Sequence, residues 1–128
     1  MPFKRKRARA IKRETLQMIL EASRETYPNE FGAILRAEEG VITEIMLLPG
    51  TLSGSRSAIF QLHMLPIDFT VVGTAHSHPS GSAAPSGADV TLFQKFGYIH
   101  IITAVPFDQD SWRAYNLYGE PVDLEVVD

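Results

Sequence analysis

From Ile11 to Tyr27 the chain reads IKRETLQMILEASRETY, in which Leu16, Ile19, Leu20 and the small Ser23 recur three and four residues apart among Glu and Arg. That spacing puts the apolar residues on one stripe of a 3.6-residue helix, and Pro28 and Asn29 close it. The pattern then changes. FGAILR (31–36) and VITEIMLLP (41–49) are short runs rich in large or β-branched apolar residues, separated by the polar AEEG, and predict a hairpin with Glu30 at its entrance. A turn-rich loop, TLSGSRSA, leads to IFQLHM, a further predicted strand, and to a Pro-initiated turn around Leu65 to Asp68. FTVVGTAHSH (69–78) is apolar or small up to its first histidine, as in a strand buried on both faces. Pro85-Ser86 opens a second helix, with TLFQKF as its apolar face and Gly97 as its stop. YIHIITAVP (98–106) is another predicted buried strand, and SWRAYNLY with PVDLEVV, joined at Gly119-Glu120, a closing hairpin. Alternating strands and helices predict an α/β layered fold, a mixed β-sheet flanked by helices.

A chain of 128 residues has the length of one domain with one core. No apolar run approaches the roughly 18 residues of a membrane span, and the N-terminus lacks the apolar segment of a signal peptide, so the expected location is cytoplasmic with no membrane partner. Cysteine is absent, which removes disulfides, thiolate nucleophiles and thiolate-ligated metals, and leaves His, Asp and Glu as metal donors. Charge is uneven. Lys4, Arg5, Lys6, Arg7, Arg9, Lys12 and Arg13 are seven of the 12 basic residues, so the remainder sets five against 15 acidic ones. Residues 1–10 read as a basic, flexible, solvated arm and 11–128 as the domain proper; nucleic acid is not expected as a partner, and such a role would show as salt-dependent binding lost with residues 1–9.

The chemistry gathers in HSHPSGSAAPSGAD, His76 to Asp89. Residues two apart on a strand share a face, so His76 and His78 project side by side while Ser77 points away. Their Cα atoms lie about 6.5–7 Å apart, a span that two imidazoles close onto one ion with bonds of about 2.0–2.1 Å. Pro79 cannot donate to a sheet ladder and ends the strand, which leaves both rings at the rim. Ser86 followed by Asp89 three residues later is a capping-box-like pattern, so both sit in the first turn of the second helix. Two histidines and an aspartate are three zinc ligands, and a three-ligand site keeps its fourth position for water.

Glu30, His76-Ser77-His78-Pro79, the seven residues PSGSAAP that begin at Pro79, Ser86 and Asp89 fill every position of a known signature. The chain resembles the JAMM (MPN+) zinc metalloproteases over about residues 11 to 127, in their compact prokaryotic, archaeal-like form, too short for the substrate-gripping insertions of eukaryotic deubiquitinating members. The resemblance implies a cytidine-deaminase-like MPN fold and one catalytic zinc on His76, His78 and Asp89 with water as fourth ligand. It implies Glu30 as the general base that takes the water's proton and Ser86 as the oxyanion donor. It also implies an isopeptidase or peptidase that cleaves after the C-terminal glycine of a ubiquitin-like modifier or sulfur-carrier protein with a Gly-Gly C-terminus. Alternatives are release of an amino acid such as cysteine from a sulfur carrier, or a non-catalytic MPN scaffold. A nucleobase deaminase needs H-x-E and a Cys pair, and this sequence has neither. His63 and His100 match no signature position and read as a loop or cleft-edge residue and a sheet residue; Phe93, Phe96 and Trp112 read as core.

Overall fold

The computed structural model describes residues 7–47 and 70–128. TLSGSRSA, IFQLHM with His63, and the turn at 65–68 lie outside the described residues. The described residues form ten elements, in order β1 (Ala10–Lys12), α1 (Arg13–Thr26), β2 (Gly32–Glu38), β3 (Val41–Leu47), β4 (Val71–His78), α2 (Gly87–Phe93), β5 (Ile99–Ala104), β6 (Trp112–Tyr115), β7 (Pro121–Val122) and β8 (Glu125–Val127). The strands form one mixed sheet in the order β7-β6-β5-β4-β2-β3-β1-β8.

The stripe on α1 is as expected. Leu16, Ile19, Leu20 and Ser23 are buried, and Ser23 is tied to β5 by a 2.8 Å hydrogen bond between its hydroxyl and that of Thr103. The helix starts two residues late, at Arg13, because Ala10 and Ile11 are strand residues paired with Val41 and Ile42 on one side and with Glu125 and Val126 on the other. Residues 7–10, assigned to the arm, therefore hold defined places: the Arg9 N–H donates to Gly40 O, and the Arg7 guanidinium lies 4.4 Å from the Tyr98 ring centroid.

β2 and β3 pair antiparallel through Glu39 and Gly40, at φ 51° and 81°. Two central residues at positive φ are the signature of a type I′ turn, whose twist suits a two-residue hairpin. Alternation along the strands sends side chains to two layers. Ala33, Leu35, Ala75, Ile101 and Ala114 join α1 in the main core, whereas Ile34 packs with Leu92 of α2, and Ile102 and Tyr115 with Phe93. Among the described residues one helix covers each face.

The parallel pair β4–β5 is unusually close at its start. A Cβ on Gly73 would meet the Ile99 carbonyl oxygen at 1.5 Å, and one on Gly97, at φ +117°, would meet the Val72 oxygen at 2.4 Å. α2 ends at Phe93, four residues before Gly97, so that glycine serves the approach to β4 instead of stopping the helix.

The closing hairpin is half of what the pattern predicts. Pro121–Val122 pairs with β6, but Glu125–Val127 pairs parallel with β1 at the other margin of the sheet. Three residues of chain reach at most about 11 Å, so Val122 and Glu125 hold the two outermost strands close together and the sheet is curled.

Candidate metal centre

β4 carries His76 and His78 on the face covered by α2, and ends there. His76 is 3% exposed; His78, one step nearer the rim, is half-buried. Asp89 comes from α2 and is oriented by the helix cap: the Asp89 N–H donates to Ser86 Oγ (3.1 Å), and the Ser86 N–H donates to Asp89 Oδ2 (2.9 Å). This reciprocal capping box satisfies two donors at the helix start and fixes the carboxylate. The other carboxylate contacts go to the histidines. His76 Nε2 lies 3.3 Å from Oδ1, His78 Nε2 lies 3.2 Å from Oδ2, and the two Nε2 atoms are 3.2 Å apart.

These distances test the fit to zinc. Ligand bonds of about 2.0–2.1 Å in a tetrahedron require donor separations of about 3.3–3.4 Å; the two Nε2 atoms are 3.2 Å apart, and each has a separation close to this from one oxygen of the Asp89 carboxylate. Among the described residues, His76, His78 and Asp89 bring three such donors together. His78 Nδ1 donates to the Ser82 carbonyl at 3.1 Å, so the neutral ring presents the Nε2 lone pair to the cluster. His76 Nε2 faces the same point, while its buried Nδ1 has no hydrogen-bond partner. Below lies Phe93, fully buried, its ring centroid 6.3 Å from that of His76.

The electrostatics follow from this packing. The hydrogen bond to Asp89 raises the His78 pKa above its ordinary value, against the opposing effect of burial, and the Glu30 charge adds to the rise. For Asp89, burial pushes upward, but hydrogen bonds from His76 and His78 outweigh it and hold the carboxyl well below the usual carboxylate range.

Glu30 reaches this face through strand pairing. Gly32 is opposite His76 in the β2–β4 register, so two residues back along the antiparallel pair Glu30 stands opposite His78 and on the same side. The intervening pair holds that register: the Ser77 N–H donates to Phe31 O at 3.0 Å, and the Phe31 N–H donates to Ser77 Oγ at 2.7 Å. Glu30 is half-buried. Ser86 is exposed, and because its oxygen accepts the Asp89 N–H, its own proton remains available to donate.

The family described as prokaryotic homologs of the JAB domain matches residues 12–118. The chain belongs to this family. A "Probable metalloprotease" from Haloferax volcanii is 39% identical over 136 residues, 98% of this chain and 84% of its own length. A solved JAB1/MPN domain protein from Archaeoglobus fulgidus is 43% identical with a TM-score of 0.77, covering 93% of this chain and 99% of that one. A solved structure of JAMM, described as a metalloprotease-like zinc site in the proteasome and signalosome, is 40% identical with a TM-score of 0.76, over 94% and 99% of the two chains. The JAMM/MPN membership and the α/β fold expected from the sequence are thereby established.

Within this JAB domain, His100 is a fully buried sheet residue, as expected, and is not one of the clustered donors. Phe93 is core, Phe96 packs partly buried beside Ile34 and Leu92, and Trp112 divides its surface between the core and a cleft of about 450 Å³. That cleft runs along the loop after His78 and is also lined by Ser82, Ala83, Arg113 and Tyr115. Sequence reasoning missed three supporting residues: Ser77 as a strand clasp, Ser82 as the partner of His78, and Tyr115, whose hydroxyl donates to Ala83 O at 2.6 Å and holds the same loop. Only Ser77 had a local signal, its place between the histidines. No helix among the described residues is long and apolar enough to cross a membrane.

Proposed function

We propose that this protein is a zinc-dependent peptidase or isopeptidase that cleaves after the C-terminal glycine of a ubiquitin-like modifier or sulfur-carrier protein. The observation that carries the reading is the convergence of two imidazole nitrogens, 3.2 Å apart, on the Asp89 carboxylate, whose two oxygens lie 3.2 and 3.3 Å from them, on the sheet face that Glu30 shares. Zinc on His76, His78 and Asp89 would supply Lewis acidity toward the scissile carbonyl and acidify a water to a pKa near 7.

The chain's own groups do the rest. Glu30 takes the proton of the attacking water and delivers it to the leaving amine, the work of a carboxylate within hydrogen-bond reach of both. Ser86 donates its free hydroxyl proton to the oxygen that gains negative charge as the carbonyl carbon becomes tetrahedral. A Gly-Gly tail suits a narrow rim because it has no side chains, and an extended tail adds to a sheet edge by main-chain hydrogen bonds. Among the described residues β1 covers only Val41 and Ile42 of β3, and the rest of that strand runs toward the metal end, where Leu47 pairs with Ala33 beside Gly32. This edge supports tail binding as an added strand.

The test measures bound zinc and cleavage of a fusion in which a ubiquitin-like protein ending in Gly-Gly is joined to a lysine side chain, with and without a chelator. One zinc per chain and chelator-sensitive cleavage after the terminal glycine are expected. A zinc-loaded protein that cleaves neither this fusion nor a linear one would overturn the reading and revive the scaffold alternative.

A further inference from the structure

We infer that Ser77 is a positioning residue for the proton carrier, acting through the backbone of Phe31; this rests on the proposed role of Glu30. Ser77 lies between the two histidines but points to the opposite face, where it is 1% exposed. In an ordinary antiparallel pair its main-chain carbonyl would accept the N–H of the residue opposite. Here the side chain takes that place: the Phe31 N–H donates to Ser77 Oγ at 2.7 Å, while the Ser77 N–H donates to Phe31 O at 3.0 Å. Phe31 is 2% exposed, so no bulk water replaces a lost acceptor there.

This clasp is the outermost link between β2 and β4, because the strand ladder stops at Gly32 opposite His76. Glu30 precedes Phe31 directly. Toward the N-terminus the chain reaches α1 through Tyr27, Pro28 and Asn29, where the Asn29 N–H donates to Thr26 O. The clasp therefore fixes the backbone beside Glu30 from the side of the metal ligands. The Ser between the histidines thus links the metal-holding strand to the residue that moves the proton, without touching either metal or substrate.

Ser77→Thr and Ser77→Val introduce the same shape, and only threonine retains the acceptor. Both should fold and hold one zinc. With the lysine-linked fusion, Ser77→Thr should keep kcat within about threefold, whereas Ser77→Val should lose at least about tenfold in kcat with KM within about twofold, the split expected when orientation at the reacting atoms suffers and binding does not. The Phe31 amide should exchange at least about tenfold faster in Ser77→Val. Added to Glu30→Gln, Ser77→Val should cost no more than about twofold further, since the group it positions is already disabled. Full turnover in Ser77→Val, an equal loss in both variants, a loss that tracks missing zinc, or an undiminished tenfold effect in the Glu30→Gln background would each overturn the inference. Full turnover in Glu30→Gln alone overturns the base assignment itself, a distinct failure visible before Ser77 is changed.

Discussion

His76 and His100 sit on the same face of the sheet, on neighbouring strands, with Phe93 beside both, and they differ in how their nitrogens are used. His100 Nε2 donates to Gly97 O at 3.0 Å and its Nδ1 lies 2.7 Å from the Thr74 hydroxyl, which can donate to it. Its ring is stacked on Phe93, centroids 4.2 Å apart at an angle of 11°. Every polar atom of that ring has a partner, and the ring joins β4, β5 and the turn after α2. His76, by contrast, points its Nε2 at a second imidazole and a carboxylate that converge on one point, and its Nδ1 is buried without a partner. A buried polar group that closes its own hydrogen bonds contributes to the fold. Donors gathered with like ends facing each other are arranged for something else.

The most severe way to break this contrast is to remove one member of the cluster. His76→Ala or Asp89→Ala should empty the metal site and bring turnover to background, because two protein ligands are too few for stable binding; stoichiometric zinc in either variant, measured by metal analysis, would contradict the ligand set. Glu30→Gln should keep zinc and lose about 10²–10⁴-fold in kcat, and Ser86→Ala should keep zinc and lose about 10²–10³-fold, both read by steady-state kinetics on the fusion.

His100→Leu provides the opposite half of the comparison. It should retain zinc but destabilise the chelated protein by about 1–3 kcal/mol, the cost of leaving the Thr74 hydroxyl and the Gly97 carbonyl unpaired, measured by urea denaturation. Zinc lost from this variant would mean that the two histidine sites are not separate.

A smaller effect concerns pH. His78, raised above its ordinary 6.5 by Asp89, stabilises the metal-free fold fully below that ordinary value, and this contribution is lost as pH rises through the raised one. Asp89, depressed, contributes above its ordinary 3.8 and loses that contribution as pH falls. The metal-free protein therefore gains most from the pair between about pH 4 and 6.5. Zinc competes with the His78 proton, so its affinity should fall by up to about tenfold per pH unit as pH drops through the raised pKa. Calorimetric titration with zinc from pH 8 to pH 6 checks it.

The cluster was legible because its determinants are local. His76 and His78 are two apart on a strand, Ser86 and Asp89 three apart at a helix start, and a period of two and a capping pattern suffice to orient all four. Glu30 is different: it lies 46 residues before His76 in the chain, and only the family signature singled it out from the other carboxylates. The hydrophobic stripe likewise gave α1, but its extension back to Ile11 failed, because an apolar residue at that position satisfies a helix pattern and a buried strand equally. What decides is pairing with Ile42 and Val126, which no local period contains. The same holds for Glu125–Val127. Its alternation fits a hairpin with its neighbours, and the curl of the sheet offers a partner from the other end of the chain instead.

Asp89 Oδ2 accepts the Ser86 N–H while facing His78, so one oxygen belongs both to the helix cap and to the metal cluster. The carboxylate is therefore held by the helix before any ion arrives. Ordering a free side chain on binding costs conformational entropy, and a ligand already fixed avoids that cost. An ion entering such a cage spends little of its binding energy on assembling it, in contrast to small domains that are unfolded without their metal. On the proposed function, a chelator should therefore withdraw zinc and stop turnover while the chain keeps its fold, an outcome that circular dichroism beside the cleavage assay would check.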